Sequence, residues 1–253
     1  MFLTDYIGAL DTRNSMNVNE GNCLHTLFAK QPAEHLSASQ SLFFEGDDAN
    51  HVYEVLDGVL RVFRIVSDGR RVITAFLYPG DFIGFSLRET YLYSAEAVTP
   101  ATIRRMPRRQ FETAVAADED LRAQVFAKTC CEMAATQEQM VLLACKSAEE
   151  RLCSFIRRHM QRVTMSGERA ATVDLPMSRQ DVADHLGLTI ETVSRTFTKL
   201  INKNVISLDN PAARHLLRIE KHGMLEFLAG DNDDCAEIRQ QGGLVMYGGR
   251  GRH

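Results

Sequence analysis

The chain has 253 residues, 45% hydrophobic and 25% charged, with a formal net charge of −4. That mix is ordinary for one or two globular domains and excludes wholesale disorder. No run approaches the roughly 18 apolar residues of a membrane span, and Met1-Phe-Leu-Thr-Asp-Tyr6 lacks the basic start and apolar core of a signal peptide. A cytoplasmic protein without a membrane partner is expected. Six cysteines with no C-x-x-C pair suit neither a disulfide framework nor a structural zinc site.

Charge is unevenly spread. Residues 1–150 carry 14 Lys and Arg against 21 Asp and Glu, a balance of −7, whereas residues 151–229 carry 12 against 8, a balance of +4. An acidic body followed by a basic third is what a chain with one polyanion-binding domain shows. Residues 1–21 read as an N-terminal extension.

Residues 22–117 form the first domain. Within it, about 40–107 is a series of β-branched and aromatic runs separated by glycine turns. His51-Val-Tyr-Glu-Val-Leu56 precedes Asp57-Gly58, and Val59-Leu-Arg-Val-Phe-Arg-Ile-Val66 follows. Ser67-Asp-Gly69 then turns the chain into Val72-Ile-Thr-Ala-Phe-Leu-Tyr78, and Pro79-Gly80-Asp81 turns it again. Evenly spaced short strands of this kind predict an antiparallel β-roll or jelly roll. Gly80 and Gly84 mark a left-handed turn or a close backbone approach.

Residues 118–147 change period. Phe126, Cys130, Met133, Gln137, Met140 and Ala144 recur at spacings of four and three, an a/d seam over nearly three heptads. Such a seam predicts a long dimerisation helix, or a core helix packed on its own barrel. A second helix starts at Ser147-Ala-Glu-Glu150, a capping-box pattern, and places Leu152, Phe155, Ile156 and Met160 on one side. Gly167 falls in the loop beyond it.

Residues 178–202 read as two short helices around a glycine turn. Ser178 with Asp181 caps the first, Val182 and Leu186 form its apolar stripe, and Ala183 lets a second helix cross closely. Gly187 permits the sharp turn, Leu188 plugs the gap between the helices, and Thr189 caps the second. Val193, Phe197 and Leu200 are its buried side. Glu191, Ser194, Arg195, Thr198 and Asn202 then share the opposite stripe. Arginine can bond guanine O6 and N7, glutamate can accept from cytosine N4, and serine can serve several base edges. Glu191, Ser194 and Arg195 are therefore the candidate base readers of double-stranded DNA. Arg179, Thr189, Thr192 and Lys199 lie where a docked helix pair meets phosphates, contacts that fix register without reading sequence. Val205-Ile-Ser-Leu208 and His215-Leu-Leu-Arg-Ile219, separated by Asp209-Asn-Pro211, predict a hairpin wing. The domain closes at about residue 229, and residues 230–253, rich in aspartate and glycine, read as a flexible tail.

A glycine-punctuated β-roll, a seam helix, Ala148-Glu-Glu-Arg-Leu152 and Thr189-Ile-Glu-Thr-Val-Ser-Arg195 together resemble the CRP/FNR family of bacterial transcription regulators. The resemblance spans about residues 22–229, and Leu175–Phe197 looks most like its FixK branch. It implies an α+β fold: an N-terminal antiparallel β-roll, a long dimerisation helix and a C-terminal winged helix-turn-helix. It also implies a homodimer, two recognition helices in successive major grooves, and promoter binding that recruits or blocks RNA polymerase. The family's Glu-x-x-Ser-Arg signature falls on Glu191, Ser194 and Arg195, and in FNR-type members reads a TTGAT half-site of an inverted repeat.

The resemblance also frames the effector question. Cyclic-nucleotide-binding relatives hold ribose and phosphate with a Gly-Glu pair and an Arg-Ser/Thr pair; here those stretches read Gly84-Phe85 and Tyr93-Ser94, which do not suit cAMP. FNR-type iron–sulfur clusters need four thiolates, but only Cys23 precedes residue 130, and Arg104 stands at the β-roll position matched to the fourth ligand. No cofactor is expected. Control by protein level, by an upstream sensor or by thiol chemistry is left, with Cys153 either a redox switch or a buried structural thiol. His25, His35 and His51 are the histidines available to a haem.

The expected protein is a non-enzymatic homodimeric regulator, more an activator than a repressor, and by resemblance an agent of oxygen-limited or nitrogen-fixation gene control. Two other classes stay open. One is a β-roll that gates DNA binding through a cyclic nucleotide, haem or another small molecule. The other is a cupin-like enzyme, for which His51 is the one barrel-strand histidine.

Overall fold

A computed structural model describes residues 23–86, 88–165, 172–208 and 215–230. The expected extension 1–21, the Gly167 loop, the Asp209-Asn-Pro turn, Cys235 and the tail from 231 onward lie outside the described residues. The chain divides into two compact units, residues 1–140 and 141–253.

The first unit opens with α1 (Leu24–Ala29) and continues through eight strands: β1 (Ala33–Leu36), β2 (Ser41–Phe43), β3 (His51–Asp57), β4 (Leu60–Ile65), β5 (Arg71–Leu77), β6 (Phe82–Ile83), β7 (Ser94–Ala97) and β8 (Ala101–Pro107). They form two antiparallel four-stranded sheets, ordered β1-β8-β3-β6 and β2-β7-β4-β5. Both sheets contribute to one buried cluster that includes Leu36, Phe43, Val55, Leu60, Val62, Ile83 and Ile103. A shared core of this kind makes the sheets the two faces of a roll. Gly84 has φ +98°, and a Cβ there would sit 2.7 Å from the His51 carbonyl, so this position requires glycine.

Helix α2 (Arg108–Ala117) and the 27-residue α3 (Glu119–Cys145) follow. At about 1.5 Å per residue α3 is about 40 Å long. Asp118 caps it, its Oδ1 accepting from the Leu121 N–H at 3.0 Å. Leu121 is buried with Leu24, Phe28, Val52, Met106 and Phe111, and Val125 packs against them. At about 100° per residue, Leu121 points about 100–140° away from Phe126, Met133 and Met140, and Val125 about 60–100° away. One helix thus carries two apolar faces, one spent on the roll and one left outward.

The second unit contains α4 (Ala148–Met165), β9 (Thr172–Asp174), α5 (Arg179–Leu186), α6 (Ile190–Asn202), β10 (Ile206–Leu208), β11 (Leu216–Ile219) and α7 (His222–Ala229). The Ser147 box is present: the Ser147 N–H donates to Glu150 Oε2 at 2.8 Å. Leu152, Phe155 and Ile156 are buried as expected. Met160 is only half-buried; the full turn that should bring it inward buries His159 instead, against Phe155. The hairpin pairs Ile206 with Ile219 and Leu208 with Leu217. A third strand, β9, lies on its other side, pairing Val173 with Leu217.

Candidate nucleic-acid interface

Helix α5 begins in a complete capping box. Ser178 Oγ accepts from the Asp181 N–H at 3.1 Å, and Asp181 Oδ2 accepts from the Ser178 N–H at 3.1 Å. It ends at Gly187, in the left-handed region at φ +62°, where a glycine terminates a helix at least strain. Thr189 then caps α6, its hydroxyl accepting from the Thr192 N–H at 3.3 Å. Val182, Ala183, Leu186, Val193 and Leu200 are fully buried and Phe197 nearly so. The two helices therefore cross on the residues that the spacing predicts.

That crossing leaves one polar stripe of α6 outward. Glu191, Ser194, Arg195, Thr198 and Asn202 are all exposed, as is Lys199. Arg195 Nε makes only a long bond to the Glu191 carbonyl, at 3.4 Å. A backbone N–H of the first turn, and then the Thr189 hydroxyl, hold the Glu191 carboxyl below the usual range, so it is an acceptor at neutral pH. The stripe thus presents a donor fork, an acceptor and a hydroxyl, the groups that base edges complement.

The four expected phosphate contacts are placed differently from one another. Thr189 and Thr192 sit at the α6 N-terminus, with their hydroxyls 3.1 Å apart. Arg179 lies over the Phe197 ring, 3.2 Å from its centroid, a cation–π contact that braces α5 on α6. Lys199 is ion-paired with Glu149 of α4, which also receives Lys203 at 2.8 Å. Burial alone would raise the Glu149 carboxyl, but the two lysines hold it below its ordinary value. The spacing that places Lys199 outward carries no trace of Glu149, which is fifty residues away in sequence.

On α3, Phe126 is 71% exposed, Met133 59% and Met140 64%, and Gln137 and Ala144 are exposed too. Cys130 is half-buried. Val141, outside the seam spacing, adds another exposed apolar side chain, at 57%.

The effector expectations meet the following geometry. Phe85 is tucked against Phe111, ring centroids 5.2 Å apart, and Tyr93 packs on the roll core, its hydroxyl pushed up to about 12 by burial. Neither offers a ribose or phosphate contact of the Gly-Glu and Arg-Ser/Thr kind. A recess of about 270 Å³ is lined by Phe85, Ser86, Arg88, Tyr91, Leu92 and Tyr93. Arg88 is a cation at this recess that the sequence spacing did not bring forward. Arg104 reaches buried Glu54 at 3.5 Å, and Glu54 meets His25 Nδ1 at 2.5 Å. Cys23 Sγ lies 2.9 Å from the Thr26 hydroxyl. A guanidinium and one thiol do not fit a four-thiolate cluster. His35 Nδ1 lies 3.1 Å from the Thr102 hydroxyl. Burial, with Arg105 nearby, lowers His51 from its ordinary value. Cys153 is buried on α4, with its thiol pushed up to about 12 by burial. That is the reverse of the exposed thiolate that a redox switch needs.

Residues 33–118 match the cyclic nucleotide-binding domain family, and residues 175–206 match the bacterial regulatory proteins of the crp family. The nitrogen fixation regulation protein FixK of Bradyrhizobium diazoefficiens is 38% identical over 174 residues, which cover 69% of this chain and 73% of that protein. The transcriptional activatory protein AadR of Rhodopseudomonas palustris is 37% identical over 176 residues, 69% of this chain and 74% of that one. The solved structure of FixK2 from Bradyrhizobium japonicum superposes with a TM-score of 0.72 at 30% identity, covering 78% of this chain and 96% of that one. The chain belongs to the CRP/FNR family of DNA-binding transcription regulators and is FixK-like.

Proposed function

We propose that two copies of this chain pair along α3 and bind a TTGAT-like inverted repeat without an iron–sulfur cluster or cyclic nucleotide, activating oxygen-limitation or nitrogen-fixation genes with RNA polymerase in the cytoplasm. The observation that carries this reading is the exposed stripe Glu191–Ser194–Arg195 on a helix whose opposite face is fully packed. Arg195 reads a guanine, and Glu191 and Ser194 read neighbouring edges. Thr189, Thr192 and the α6 N-terminus meet phosphate, joined by Arg179 and by Lys199 once it leaves Glu149.

Pairing is supported by the seam. Phe126, Met133 and Met140 would each bury most of a large apolar side chain against a second helix, worth about 1.5–3 kcal/mol apiece. Pairing of two chains supplies two recognition helices, the number that an inverted repeat with half-sites one turn apart requires. Activation, polymerase contact and a non-enzymatic role are supported by the descriptions of the relatives, AadR being named an activatory protein. Absence of a cofactor is supported by Phe85, Tyr93 and the Arg104–Glu54 pair.

The test is a titration of purified protein, with nothing added, against a TTGAT-N4-ATCAA duplex and a scrambled control, in salt of stated concentration. Preference for the palindrome by about 10³-fold or more is expected of a specific regulator. The Arg88 recess favours one other reading, a ligand-gated regulator. Weak, unselective binding that becomes specific on adding a cyclic nucleotide would replace the proposal with that one.

A further inference from the structure

Within the second unit, one side chain of α4 joins α5 to the last residues of α3, which fall in that unit. Arg151, in the first turn of α4, uses every nitrogen of its guanidinium on a backbone carbonyl. Nη2 donates to Leu143 at 2.9 Å and Nε to Lys146 at 2.9 Å, at the end of α3. Nη1 donates to Leu186 at 2.8 Å, the last residue of α5. The carbonyls at helix ends lack intrahelical partners and carry the negative end of the helix dipole, so one cation satisfies two C-termini. Gly187 lies against the same spot: a Cβ there would be 3.6 Å from Arg151 Nη1 and 3.6 Å from Leu143 Cδ2. The turn of the helix-turn-helix is therefore seated on the final turn of the seam helix through this guanidinium.

We propose that Arg151 is a positioning residue that sets which half-site spacing the dimer accepts. The inference rests on the palindrome-binding reading above. Arg151 touches no DNA in it. Two copies held at α3 carry their recognition helices at a separation set by how each helix-turn-helix is fixed to the end of its own α3. One added base pair moves a half-site by about 3.4 Å along the duplex and about 35° around it. A loosened joint tolerates that displacement; a clamped one does not. A planar fork spans three carbonyls, whereas a lysine ammonium is a point charge that cannot, so Arg151→Lys keeps the charge and loses the clamp.

The experiment measures binding of wild type, Arg151→Lys and Arg151→Gln to duplexes with N3, N4 and N5 spacers and to a duplex with one half-site, after folding is checked by circular dichroism. Wild type is expected to prefer one spacer. In the variants that preference should fall about tenfold, while single-half-site affinity stays within about twofold of wild type. A folded variant that keeps the wild-type spacer ratio overturns the inference, and so does failure of both variants to fold, which assigns Arg151 to stability alone. A wild type with no spacer preference removes the palindrome reading itself, a different failure.

Discussion

Helices α3 and α6 both leave a stripe outward at the same three- and four-residue spacing, yet the stripes are chemically opposite. On α3 it is Phe126, Met133 and Met140; on α6 it is Glu191, Ser194, Arg195 and Thr198. An apolar stripe gains by leaving water against another apolar stripe, which a second copy of the same helix offers. A stripe of a fork, a carboxylate and hydroxyls gains by meeting a fixed pattern of donors and acceptors, which a base-pair edge offers. Periodicity locates an interface, and side-chain chemistry selects the partner.

The comparison breaks most readily at the seam. Met133→Glu with Met140→Glu places charges where apolar contact is required, and should turn dimers into monomers whose palindrome affinity is about 10²-fold weaker or worse. Sedimentation velocity checks it, and an unchanged coefficient would return the seam to solvent.

The packed face behind α6 gives the next largest effect. His159 is buried against Phe155, donates from Nδ1 to the Phe155 carbonyl at 2.8 Å, and is lowered to about 4, first by burial, with His185, Arg162 and Arg158 adding to it. A base with a depressed pKa binds fewer protons folded than unfolded between about 4 and the ordinary 6.5, so stability is full above 6.5 and declines as pH falls toward 4. The shift corresponds to about 3 kcal/mol below pH 4. His159→Gln should flatten this acid limb in urea titrations of the protein at pH 7 and pH 5. An equal decline in both proteins would place the acid sensitivity elsewhere.

Arg195→Ala should cost about 1–3 kcal/mol on the palindrome and relax preference at one base pair of each half-site. Equal losses on every sequence would turn Arg195 into a phosphate contact and blunt the distinction between the stripes. Smallest is Glu149→Gln. It frees Lys199 and Lys203, so affinity should rise a few-fold and the slope of log affinity on log salt should steepen by about one. An unchanged slope would mean that Lys199 reaches no phosphate.

Much of this was legible in the sequence where the cause is local. Ser178, Gly187 and Thr189 mark caps and a turn within a few residues, and the structure uses each of them so. Strands β3, β4 and β5 announce themselves through glycine turns. Strands β1 and β9 do not, because Ala33–Leu36 and Thr172–Asp174 are short and are held by pairing with β8 and β11 far along the chain. The same holds for side chains. His159 and His185 look like surface residues by type, yet both are buried around Phe155. Arg151 reads as an ordinary helix-start residue, since one of its carbonyl partners, Leu186, lies thirty-five residues on. Lys199 reads as free for the same reason that Glu149 goes unnoticed.

The most direct measurement of the central claim is the mass of the protein–DNA complex on a single TTGAT-N4-ATCAA duplex, by sedimentation equilibrium with no ligand present. The account predicts two chains per duplex, bound together, with no one-chain species at half saturation. One chain per duplex, or the same stoichiometry on the scrambled duplex at equal affinity, would contradict it.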